Sequence, residues 1–152
     1  MFCDENNILE GLEYEVNCAS TVFQSLKFDR VNILAIGSGA CIRNLYFQGL
    51  EIDKLSCLSL LEVTKMNMTF GNHLSSVEER IKYLSKEGDL DIIILYVSCL
   101  DILAGTDYEA MIENLNKVLD TRVILFKRGP LNKRRMLPKD RYREIEEEIL
   151  SY

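Results

Sequence analysis

Hydrophobic residues along this chain gather into two kinds of run. Residues 31–36 (VNILAI) and 91–97 (DIIILYV) are almost continuously apolar, without the alternation of a strand that shows one face to water. Such runs fit strands of a parallel sheet covered on both faces. Residues 57–61 (CLSLL) and 122–126 (RVILF) are shorter runs of the same kind. The intervals between these four runs leave room for a crossover helix in each, and such crossovers are right-handed.

Between the runs, apolar positions recur every three or four residues. Val77, Ile81 and Leu84 share one helical face, and Ser75 or Ser76 precedes Glu78 or Glu79 by three, a capping-box spacing that predicts the helix start. Thr106 and Glu109 repeat the device ahead of Met111, Leu115 and Leu119, and Lys117 follows Glu113 at the favourable offset of four. After Pro138 a charged helix runs through Leu150, with Ile145 and Ile149 as its apolar stripe. Residues 18–26 read as a short helix turning Val22, Phe23 and Leu26 inward.

Strands alternating with helices define the fold class as α/β: an open, mainly parallel, Rossmann-like sheet of about four strands flanked by helices. The 152 residues fit one domain spanning 1–152, with 18–126 as the sheet core and 127–152 as a basic loop and C-terminal helix. No apolar run approaches the roughly 20 residues of a membrane-spanning helix, and the N-terminal residues are acidic where an export signal is basic and then apolar. The expected location is the cytoplasm, with no membrane contact. The net charge of −6 argues against nucleic acid as a partner. That charge is uneven, for residues 1–126 carry 10 basic and 19 acidic side chains while 127–152 carry 8 and 5.

The candidate chemistry lies with five cysteines, Cys3, Cys18, Cys41, Cys57 and Cys99. An odd number without an export signal argues against a disulfide framework, and the absence of any CxxC argues against a zinc knuckle. In an open parallel sheet the ligand crevice lies beyond the C-terminal strand ends. Cys41 follows the first strand through Gly37-Ser38-Gly39-Ala40, and Cys99 comes two residues after the second long run. Cys18 opens the helix ahead of the first strand and can approach the same edge. Two readings stay open: buried thiols acting as small apolar side chains, or a soft metal centre of zinc or iron–sulfur type. Cys57 reads as core and Cys3 as terminus.

Several of these stretches carry a resemblance. Cys18-Ala19-Ser20, the turn ending Gly39-Ala40-Cys41, the segment Tyr96-Val97-Ser98-Cys99 and the following Ile102 to Asp107 resemble the N-terminal part of nitrogenase component 1. That superfamily includes the molybdenum–iron protein subunits and the dark-operative protochlorophyllide reductase. Phe70-Gly71-Asn72 and the glutamates that follow resemble the family's phenylalanine-glycine-glycine turn and helix. The chain departs from the family at Ile36-Gly37, where members often have His-Gly, and at Asn72 in place of glycine, a residue that tolerates the left-handed region.

The resemblance implies an iron–sulfur cluster held by Cys18, Cys41 and Cys99, with Gly39 in the turn beside it, at a subunit interface. A second subunit, in a homodimer or a heteromer, would complete the ligand set, with Asp101 or Cys3 as local alternatives. The implied task is electron transfer in a reductase assembly, with an ATP-dependent reductase as a further partner. Family subunits carry three such domains and this chain matches the first, so the chain is related to oxidoreductases without a complete active site being expected on it.

Other functional classes compete. A non-catalytic binding or assembly module could keep the fold without a cluster. A nucleotide-binding domain is the third reading: Gly37 and Gly39 begin a dinucleotide fingerprint and Glu62 stands where a ribose-binding acid would, but Ile42 occupies the third glycine position. Lys127, Arg128, Lys133, Arg134 and Arg135 flank Gly129-Pro130. They read as a solvated loop, or as a receptor for an acidic partner, a phosphate or an anionic tetrapyrrole. His73, the sole histidine, excludes a multi-histidine metal site and reads as a capping or surface residue.

Overall fold

The computed structural model describes residues 22–97, 106–127 and 138–151. Four parallel strands form one sheet in the order β2-β1-β3-β4: β1 (Val31–Gly37), β2 (Leu58–Glu62), β3 (Ile92–Val97) and β4 (Arg122–Lys127). The helices are α1 (Gly39–Glu51), α2 (Lys65–Phe70), α3 (His73–Glu87), α4 (Tyr108–Val118) and α5 (Pro138–Ser151). The open, Rossmann-like α/β architecture is the one the hydrophobic pattern predicts. Among the described residues no helix is long and apolar enough to cross a membrane.

Successive strand residues point to opposite faces, and the parallel register makes each face continuous across strands. Ile33, Ile94 and Ile124 stand side by side on one face, joined there by Ala35, Tyr96 and Phe126. That face is covered by Ile42 and Leu45 of α1, Ile145 and Ile149 of α5, and by Val22, Phe23 and Leu26, the last within a 3-10 turn at Gln24–Lys27. Leu34, Ile36, Ile93, Leu95, Val97 and Val123 make the other face, under Val77 and Ile81 of α3 and Tyr108, Met111, Ile112 and Leu115 of α4. Burial on both faces is why the β1 and β3 runs are apolar without alternation. At the N-terminal edge the Arg30 carbonyl accepts from Asp91 and Ile92, and Asp91 O accepts from Arg122, which aligns the starts of β1, β3 and β4.

Three local expectations are corrected. Helix α3 begins at His73 with Asn72 before it, two residues ahead of the Ser75 box, and the left-handed residue of that turn is Gly71 (φ 67°), not Asn72. Helix α4 is capped by Asp107, whose Oδ1 accepts from Ala110 N at 3.0 Å, because the Thr106 hydroxyl is engaged elsewhere. Strand hydrogen bonding in the CLSLL run starts at Leu58, since residues Leu55–Cys57 form a 3-10 turn.

Strand β4 is outermost among the described residues, and its outer edge is closed at one point by a side chain. Val123 N donates to Asn116 Oδ1 at 2.8 Å, and Asn116 Nδ2 donates to Val123 O at 3.1 Å, so the amide imitates a neighbouring peptide. Asn116→Ala removes both bonds and is expected to cost about 1–3 kcal/mol. In a chain of this length that lowers the melting temperature by roughly 3–10 °C. An unchanged thermal melt would show that water replaces the amide without loss.

A second local prediction concerns alkaline pH. The hydrogen bond from Lys27 to Glu146 holds the ammonium above its ordinary value against a smaller opposing effect of burial, and burial pushes the Tyr142 phenol up against the nearby Lys27 charge. Both groups bind their protons more tightly in the folded chain than in the unfolded one. Their contribution is therefore complete below about pH 10, the ordinary range of both groups, and is lost as pH rises through it. Urea melts between neutral pH and strongly alkaline pH should show stability falling from about pH 10 upward, with a shallower fall in Tyr142→Phe. Equal slopes in the two proteins would contradict this.

Candidate functional site

The chain leaves β1 to build β2 on one side and returns to build β3 on the other. The crevice of an open sheet forms at such a switch point, beyond the strand ends. Ile36 is in register with Val97, the last residue of β3, and β1 runs one residue further to Gly37, so the two neighbours finish within a residue of each other.

From β1 the chain turns through Ser38 into α1. The Ser38 carbonyl accepts from Cys41 N at 3.0 Å and Ile42 N at 3.1 Å, and its side chain makes no cap bond. Gly39 is the first residue of α1, and Cys41 sits half-buried in the first turn. Buried Ile42 and Leu45 anchor that turn on the sheet. On the neighbouring strand Glu62 stands in register with Gly37, and Val63 N continues the ladder to Gly37 O at 2.9 Å. The Glu62 carboxylate reaches across to α1, with Oε1 only 2.9 Å from where a Cβ on Gly39 would lie.

Beyond β2, Thr64 and Asn67 cap each other: Thr64 N and Oγ1 donate to Asn67 Oδ1 at 3.0 and 2.7 Å, and Asn67 N donates to Thr64 Oγ1 at 3.2 Å. Asn67 Nδ2 also reaches Asn72 Oδ1 at 3.4 Å, which ties this corner to the start of α3. There His73 is buried, shares a hydrogen bond between Nε2 and Thr106 Oγ1 at 3.1 Å, and meets the Tyr108 ring edge-on at 6.5 Å. The surface or capping role expected for His73 is thus corrected. It lies on the same stripe as Val77 and Ile81, at spacings of four, and that periodicity is the signal that could have found it.

The segment 98–105, which carries Cys99, is therefore entered from fully buried Val97 and left at Thr106, held by His73 one residue before the α4 cap. Cys99, Cys18, Cys3 and Asp101 lie outside the described residues, as does most of the basic loop. Lys127, at its start, pairs with Glu109. Among the described residues no group of three or more His, Cys, Asp or Glu is placed to hold a metal ion. Cys57 precedes β2 and so lies at the N-terminal edge, across the sheet from Cys41, half-buried against the core rather than within a strand.

A scan of the sequence against protein-family profiles finds no match, and a search of curated proteins finds no relative.

Proposed function

We propose that the chain is a nitrogenase component 1-like iron–sulfur domain that carries electrons within a reductase assembly, with Cys18, Cys41 and Cys99 as the thiolates it contributes. The observation that carries this reading is the adjacency of β1 and β3, whose ends lie within one residue of each other beyond the Ile36–Val97 pair. Neighbouring strands lie about 4.8 Å apart, and the two residues from Val97 to Cys99 span at most about 7 Å. On this reading Cys99, two residues after Val97, joins Cys41 at that edge.

The donor set fits the group. Thiolates are soft ligands that select iron–sulfur clusters or zinc over harder cations, and one-electron chemistry is what such a cluster supplies when bound. Three thiolates leave a four-cysteine site incomplete, and the resemblance implies that a second subunit, either another copy or a different chain, completes it, with Asp101 or Cys3 as local alternatives. The protein's own work is positional. Ile42 and Leu45 fix the turn that bears Cys41, and the hydrogen bond of His73 to Thr106 fixes one end of the segment that bears Cys99. An ATP-dependent reductase is the partner this reading assigns as electron donor.

The dinucleotide reading is less well supported. In that fingerprint the second glycine lets the backbone approach a diphosphate and the third lets helix and strand pack closely. The space at Gly39 holds the Glu62 carboxylate, and the third position is Ile42, packed into the core.

Strictly anaerobic reconstitution of the full chain with ferrous iron and sulfide is expected to give broad visible thiolate-to-iron absorption. Calorimetry with dinucleotides should give no binding heat. A protein that stays folded and colourless after such treatment would overturn the cluster and leave the assembly module as the better reading.

A further inference from the structure

A helix lying on a sheet hides one stripe of its surface and shows water the rest. Helix α1 hides Ile42, Leu45 and Gly49. On its outward side it also carries three large apolar residues, Tyr46 (40% exposed), Phe47 (56%) and Leu50 (53%), with the Tyr46 and Phe47 rings edge to face at 5.6 Å. Single exposed apolar residues are ordinary on a protein surface, whereas a contiguous group of this size marks a contact site.

The charges around the group decide what it contacts. Arg43 and Glu51 are both exposed, and each stands four residues from Phe47, on opposite sides. With Tyr46, Phe47 and Leu50 they form one stripe at offsets of three, four, seven and eight, about 12 Å from end to end. Neither Arg43 nor Glu51 has an ion-pair partner among the described residues. An apolar centre with a cation at one end and an anion equally far at the other is complementary to itself when turned by a twofold axis. Antiparallel pairing sets Phe47 on Phe47 and Arg43 opposite Glu51 twice, with the helix dipoles opposed. Parallel pairing would set like charges together.

We infer that α1 is a self-association surface, on which a second copy of this chain packs its own α1 antiparallel about an axis through Phe47. Cys41 lies six residues from that axis, about 9 Å along the helix, so the pairing leaves the sheet edge free and stands whether or not a cluster is held there. One helix pair buries less than the roughly 1,200 Å² of a standard interface, so a weak, concentration-dependent dimer is expected.

Sedimentation velocity of the full chain at rising concentration tests this, with circular dichroism of each variant to establish folding. The wild type is expected to shift from monomer to dimer within roughly 100 μM, and less readily at high salt. Phe47→Asp should weaken pairing by about tenfold or more. Arg43→Glu and Glu51→Arg should each weaken it as well. The double variant, Arg43→Glu with Glu51→Arg, should return to within about threefold of wild type, since the swapped charges again face opposites. A wild type that stays monomeric, or a dimer indifferent to Phe47→Asp, would overturn the surface. A double variant no better than the singles would overturn the antiparallel register.

Discussion

Replacing Cys41 with alanine is expected to abolish the thiolate-to-iron absorption of reconstituted protein, while the same change at Cys57 leaves it intact. The two thiols are alike in exposure, both half-buried, and differ in place. Cys41 is in the first turn of α1 at the C-terminal edge of the sheet, and Cys57 precedes β2 at the opposite edge. The five residues of β2 alone separate the two edges by about 17 Å. One cluster cannot draw on both. Neither side chain is deep in the core, so either truncation should cost stability only modestly, and the melting curves of both variants should stay close to wild type. Equal loss of absorption in the two variants would contradict the assignment.

Ile94→Ala is expected to be the most damaging of the simple core truncations, lowering stability by about 2–5 kcal/mol. A domain holds about 5–15 kcal/mol in all, so the variant loses a large share of its margin, and its melting temperature should fall by roughly 5–20 °C. Ile94 is fully buried in β3, a central strand, between Ile33 of β1 and Ile124 of β4 in direct register. Its face is covered by α1 and α5, so no neighbour can relax into the space without moving a helix. Val118→Ala, at a position 74% exposed, should change stability by less than about 0.5 kcal/mol. Thermal melts of the two variants side by side check the contrast, and an Ile94→Ala protein that melts with wild type would contradict the strand order.

Much of this architecture is legible in the sequence, and the failures have physical causes. The runs at 31–36 and 91–97 announce doubly covered strands because both faces of β1 and β3 are buried. Strand order is not written in periodicity, since it depends on which way the chain turns after β2, and that is decided by α3 packing on the face opposite α1. The sequence points to Thr106 as the cap of α4, and the structure gives that place to Asp107. Only the competing bond of Thr106 to His73 leaves the task to Asp107. His73 was misread because a polar residue type hid its membership of an apolar stripe. Cys57 packs against the core as its run suggests, but an apolar run does not reveal that its first residue closes a 3-10 turn. For the site, the glycine turn after β1 and the place of Cys41 just beyond it are legible in the sequence. The approach of the Glu62 carboxylate to Gly39 needs the β1–β2 register and could not be read from spacing.

In the function proposed, the neighbouring ends of β1 and β3 serve one iron–sulfur cluster. The most direct test is iron and acid-labile sulfide per chain in anaerobically isolated protein, measured in parallel for the wild type, Cys41→Ala and Cys99→Ala. Stoichiometric iron and sulfide are expected in the wild type, with loss of both in each variant. Full wild-type iron content retained in both variants, or a wild type without iron and sulfide, would contradict the proposal.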